Sequence, residues 1–208
     1  MAAPITMRLQ GDAIQRLKEA AGDDLRNLRK QLKTAVRATA RFTKSQMAKA
    51  VYDEINTTQK VIKKTIKDEA IASETNPRAV ITMSPTSRIP VKDFKAYQTA
   101  GRKATKRGPA RGGGVSYKIK RRGNRELLPG GFIVNRYGGN VFKRYTPTRA
   151  TGKSLQGPSP WGVFVKNKKQ KPIAEETQRR LIEEIEKRTR AIQGGWIRAD
   201  NQRIRRNA

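Results

Sequence analysis

The chain has no cysteine and no histidine. Without cysteine there are no disulfides, no thiolate nucleophile and no thiolate metal ligand, and the redox compartment leaves no trace in the composition. Without histidine there is no imidazole general base and none of the commonest zinc or haem ligand. No apolar run approaches the ~20 residues that a membrane-spanning helix needs. The opening MAAPITMRLQ, with Pro4 and Arg8, lacks the basic-then-apolar order of a signal peptide. Cytosolic synthesis without export or membrane association is therefore expected. Acidic residues are also scarce: 17 Asp and Glu face 47 Lys and Arg, a formal net charge of +30. A chain so charged repels itself unless it lies beside something anionic, so nucleic acid or an acidic protein partner is implied.

The positive charge is concentrated in the middle of the chain. Residues 1–75 hold 15 basic and 9 acidic residues, residues 76–172 hold 23 and 2, and residues 173–208 hold 9 and 6. Apolar residues make up 35% of the 208, a share that supports a small core. One domain over 1–193 followed by a basic tail, 194–208, is the expected organisation.

Apolar spacing predicts a short helix from Gly11 to Ala21. A long one should follow, with Asp23 and Asp24 placed to cap it, in which Leu25, Leu28, Leu32, Ala35, Val36, Thr39, Phe42, Met47 and Val51 form the buried stripe. Its other face, Arg29, Lys30, Lys33, Arg37, Arg41 and Lys44, is basic. Asn56-Thr57-Thr58 offers a cap for a second helix, Gln59 to Glu69. Residues 79–83 read as a strand, and Ile89-Pro90-Val91 as an edge segment. Residues 113–144 read as a meander. Val115, Tyr117 and Ile119 alternate with Ser116 and Lys118, which should face water; Phe132-Ile133-Val134 and Val141 to Arg144 follow, with turns at Arg121-Arg122-Gly123-Asn124 and Tyr137-Gly138-Gly139-Asn140. Ile173 to Gln193 is the terminal helix, closed by Gly194-Gly195. The fold class is thus α+β: an antiparallel meander of about four strands, 79–83, 115–119, 132–134 and 141–144, packed against a long N-terminal helix, with a C-terminal helix and long basic loops.

Between Thr99 and Gly114 the chain has five basic residues, five Gly and one Pro, and no apolar residue larger than Ala, so it reads as a flexible basic arm. Arg102, Lys103, Lys106, Arg107 and Arg111 of this arm, with Lys118, Lys120, Arg121, Arg122 and Arg125, are the candidate contacts to DNA or another polyanion. Gly157-Pro158-Ser159-Pro160-Trp161 is stiff and carries an aromatic outside any strand pattern, which marks it as a candidate assembly interface. The pairs Glu175/Glu176 and Glu183/Glu184 sit at helical spacing from Lys and Arg and read as ion-pair partners. Gly152-Lys153-Ser154 has Pro147 where a phosphate-binding loop needs its first glycine, so it is a chance match. No catalytic residue, cofactor or metal site is read.

Several segments resemble the minor tail protein Z family of siphophages and prophages, the tail-completion proteins: Gly114-Val115-Ser116-Tyr117, Leu128 to Ile133, Gly139 to Arg144 and Gly157-Pro158-Ser159. Arg41 to Lys67 and Ile89-Pro90-Val91 also match, so the likeness spans roughly 25–192. The resemblance implies a non-enzymatic virion protein, present in the host cytoplasm during assembly. It would form a homo-oligomeric, hexameric ring at the head-proximal end of the tail tube and enable head-tail joining. Partners implied are tail-tube or terminator proteins, head-connector proteins and the leading DNA end, held without reading sequence. The alternative is a basic nucleic-acid-binding protein unconnected with virions.

Overall fold

The computed structural model describes residues 5–6, 15–16, 18–20, 25–70, 72, 78–100, 113–143 and 153–207. It is a mixed α+β chain with helices α1 (Leu25–Tyr52), α2 (Gln59–Lys64), α3 (Pro160–Lys166) and α4 (Gln170–Asn207). The strands are β1 (Ile5–Thr6), β2 (Ile66–Ala70), β3 (Val80–Met83), β4 (Tyr97–Thr99), β5 (Gly114–Tyr117), β6 (Glu126–Pro129), β7 (Gly131–Val134) and β8 (Asn140–Lys143). The single domain expected from the sequence divides into two compact units. Unit 1 gathers Met47–Ile66 and Met83–Lys168; unit 2 gathers Ala2–Gln46, Lys67–Thr82 and Lys169–Ala208.

Unit 2 is built on α1 up to Gln46 and on α4. Leu28, Leu32, Ala35 and Val36 are buried with Leu181, Ile185 and Ile192, joined by Ala72 and Ala79. The predicted stripes of both helices thus meet in one core, where small residues such as Ala35 let backbones approach closely. Threonine hydroxyls within it are satisfied locally: Thr39 and Thr43 donate to carbonyls four residues back, at 3.0 and 2.9 Å. The Thr177 hydroxyl is then left to donate to Thr43 Oγ1, 2.9 Å away. The sheet order is β1-β3-β2.

Three expectations fail here. The strand at 79–83 belongs to this sheet and not to the meander. The second helix stops at Thr65, whose N–H and hydroxyl both return to Ile62 O, and Ile66–Ala70 is a strand. The Ile66–Ala70 segment suits either a helix or a strand, and pairing with β3 decides for the strand. Finally, α4 does not end at Gly194-Gly195 but continues to Asn207. Gly194 lacks the positive φ of a helix-ending glycine and is carried inside the helix at a cost of about 1 kcal/mol. The helix-capping role read for Asp23 and Asp24 lies outside the described residues.

Unit 1 contains the meander, broken into two sheets, β4-β5-β6 and β7-β8, both antiparallel. β6 pairs fully with β5, from Gly114 opposite Pro129 to Tyr117 opposite Glu126. Val91, Val115 and Val141 form the centre of the core, with Ala96, Tyr117, Leu128, Ile133 and Leu155 packed around them. The Gln98 carboxamide links the two sheets as a peptide group would, donating to Gly114 O (3.0 Å) and Gly131 O (3.3 Å) and accepting from Ile133 N–H (3.1 Å). At the β7-β8 connection Gly138 and Gly139 have φ of 67° and 73°, left-handed values that favour glycine and fit the predicted turn. The turn at Arg121–Asn124 also forms, closed by Gly123 N–H to Lys120 O at 3.2 Å.

Candidate interaction surface

The first five candidate contacts, Arg102, Lys103, Lys106, Arg107 and Arg111, lie outside the described residues. The strands flanking their arm pair directly, with Thr99 opposite Gly114. The other five fall in unit 1 and divide into two kinds.

Arg121 and Arg125 are held by the protein itself. Arg121 Nε donates to Tyr52 O, the last carbonyl of α1, at 2.9 Å, and its guanidinium lies 3.7 Å over the Tyr52 ring. A positive group is favourable at a helix C-terminus, where carbonyls lack partners and the dipole is negative. Arg125 donates from Nε to Ser116 Oγ (3.0 Å) and from Nη2 to Lys95 O (2.6 Å) and Ser116 O (3.1 Å), with its guanidinium 4.4 Å over Tyr97. This overturns the expectation that Ser116 faces water: it is buried, under Arg125. Planar guanidinium explains why both sites hold Arg, since Lys can neither fork between two carbonyls nor stack on a ring in this way.

Lys120 and Arg122 are exposed, and Lys118 is half-buried with its N–H on Phe94 O at 3.1 Å. Lys120 and Arg122 line a cleft of about 650 Å³. Its apolar wall is Ile55, Ile119, Pro158 and Val163; Lys166 adds a third cation, and Asp53 and Glu54 add two carboxylates. The local backbone builds this cleft. The chain leaving α1 runs beside the segment leaving β5, with Asn56 N–H on Ile119 O (2.7 Å) and Arg121 N–H on Glu54 O (2.9 Å). Two sequence-level candidates, the Lys120/Arg122 turn and the Gly157–Trp161 segment, therefore share one concavity through Pro158.

The second candidate set is not a free extension. A Cβ on Gly157 would lie 2.5 Å from the Phe94 ring, so only glycine fits there, and its N–H reaches Ile89 O at 2.7 Å. Ser159 donates to Pro85 O at 3.0 Å. Pro160 is buried as the first residue of α3, where a missing N–H costs nothing. Trp161 is half-buried. Ser-Pro was the readable signal for this helix, and Lys166, the cleft's third cation, is in its last turn. Beyond this helix the chain turns at Lys168, a non-glycine residue with φ of 52°.

Two further features matter for ligand chemistry. Burial and the neighbouring Glu126 carboxylate, its cross-strand partner, push the Tyr117 hydroxyl above its ordinary pKa, so it stays neutral at physiological pH. Among the described residues no group of three or more Asp or Glu side chains is placed to hold a metal ion, and no helix is long and apolar enough to cross a membrane. Comparison with protein-family models, curated proteins and solved structures finds no match to the chain.

Proposed function

We propose that the protein is a structural component of a tailed-phage virion, a tail-completion protein that forms a hexameric ring at the head-proximal end of the tail tube and enables head-tail joining. One observation carries this reading: the second-half segments that bear the family resemblance make the backbone bonds of unit 1. Gly114–Tyr117 pairs with Glu126–Pro129, and Gly131–Val134 with Asn140–Lys143. Leu155 N–H reaches Val141 O at 2.8 Å, Val91 N–H reaches Leu155 O at 3.1 Å, and Gly157 N–H reaches Ile89 O. A likeness in scattered glycines, prolines and aromatics carries more weight when those positions make up one packed unit. The unneutralised charge of the same unit suits a subunit set among acidic neck and tube proteins and the phosphates of the DNA end.

Negative-stain imaging of the purified protein, alone and mixed with tail-tube protein, tests the reading. Rings are expected. Protein that stays monomeric in both conditions while binding duplex DNA with a steep salt dependence would replace it with the virion-independent nucleic-acid-binding alternative.

A further inference from the structure

Resting on that reading, we infer that the unit 1 cleft receives an acidic segment of a partner protein, anchored by apolar side chains, and not a nucleic-acid backbone. Three observations point this way. The rim supplies Lys120, Arg122 and Lys166, cations in a region of 23 basic and 2 acidic residues, so an anionic occupant is favoured. The wall is aliphatic, and no aromatic ring among the described residues lines it, so bases have nothing to stack on, whereas leucine-like side chains have Ile55, Ile119, Pro158 and Val163 to cover. Asp53 and Glu54 open onto the same space. Two carboxylates repel a continuous run of phosphates but are tolerated by a polypeptide, which can place a lysine, a serine or a backbone N–H opposite them. An apolar centre with a charged rim is the usual anatomy of a protein interface, and phosphate-binding surfaces seldom have it.

The division among the arginines supports the same site. Arg121 and Arg125 are committed to carbonyls and tyrosine rings, whereas Lys120, Arg122 and Lys166 are exposed and line the cleft.

Fluorescence anisotropy with three probes tests the inference on the full chain: a short peptide with leucines spaced among glutamates, the same peptide with serine for leucine, and a short DNA duplex. The leucine peptide should bind at least about tenfold more tightly than the serine peptide. Replacing Lys120, Arg122 and Lys166 together by Ser should weaken it by at least about tenfold, and so should Val163→Asp, with duplex affinity unchanged in Val163→Asp. If Val163→Asp lowers the melting temperature, the nearly isosteric Val163→Thr takes its place, with a smaller loss expected in the same direction. Equal binding of the two peptides overturns the inference. So does a duplex that displaces the leucine peptide and loses affinity in parallel with it in the Val163 variant, because the cleft would then be a phosphate site. Ring formation, imaged separately, keeps the two readings distinguishable: rings without peptide binding reject the cleft alone, and peptide binding without rings rejects the virion assignment alone.

Discussion

Unit 1 and unit 2 solve the same problem, a surplus of arginine, in different ways. In unit 2 the buried carboxylate of Glu184 takes Arg180 on one oxygen (3.0 Å) and Arg188 on the other (3.4 Å), while Glu183 and Glu186 pair with Arg180 and Arg190. The charge of these paired arginines is offset within the unit. Unit 1 has few acids to spend, so Arg121 and Arg125 are satisfied by neutral carbonyl oxygens and aromatic faces, which fix the guanidinium without removing its charge. The comparison teaches that hydrogen-bond satisfaction and charge neutralisation are separate quantities. The ion-paired arginines of unit 2 achieve both, whereas Arg121 and Arg125 in unit 1 achieve only the first and keep a field that an external partner must meet.

The cores allow the largest test of this contrast. Leu181 is fully buried among small and branched side chains that cannot collapse into a void, and Leu181→Ala should cost about 3 kcal/mol in chemical denaturation. Val115→Ala, at the centre of unit 1, removes less volume and should cost about 2 kcal/mol. A smaller loss at Leu181 than at Val115 would mean that the helix-helix core is the looser of the two.

The ion pairs come next. Glu184→Gln should cost about 2 kcal/mol, since it leaves Arg188 without a carboxylate and Arg180 with Glu183 alone, and part of that cost should disappear in high salt. Arg121→Met should cost about 1.5 kcal/mol with little salt dependence, because its partners carry no charge. If the Arg121 loss proves as salt-sensitive as the Glu184 loss, the two units do not differ in the way described.

A smaller effect separates two buried threonines. Thr43→Val in unit 2 removes a hydroxyl bonded to both Thr39 O and Thr177, and should cost about 1 kcal/mol. Thr57 Oγ1 in unit 1 is buried with no hydrogen-bond partner among the described residues, so Thr57→Val should be neutral or stabilising by thermal melting. Destabilisation of about 1 kcal/mol by Thr57→Val would show that this hydroxyl has a partner in solution.

The smallest effect is at high pH. Tyr117 has a folded pKa above its ordinary 10.0, because burial and Glu126 disfavour the phenolate. The unfolded chain therefore gives up this proton first. The contribution is fully present below pH 10.0 and is lost as pH rises through the folded value. Stability followed upward from pH 9 should fall less in Tyr117→Phe than in the wild type; identical profiles would remove Tyr117 from the account.

Taken by itself, the sequence determined whatever depends on periodicity and on local backbone chemistry. The Leu28-Leu32-Ala35-Val36 and Leu181-Ile185-Ile192 stripes, the turn at Gly138-Gly139 and the α+β class were legible because each rests on residues close in the chain, as was the uneven charge. Tertiary structure decided what local signals leave degenerate. Ile66–Ala70 fits either a helix or a strand, and only its pairing with β3 selects the strand. Ser116 alternates toward water in the strand pattern, yet Arg125 folds over it from nine residues away. Lys120 and Arg121 are neighbours of like charge, but one side chain lines an open cleft and the other is fixed on the end of a helix. The cleft itself joins residues 53–55, 119–123, 158 and 163–167, four segments whose separation in sequence hides their meeting, because a concavity is a property of packing and not of any one stretch of chain.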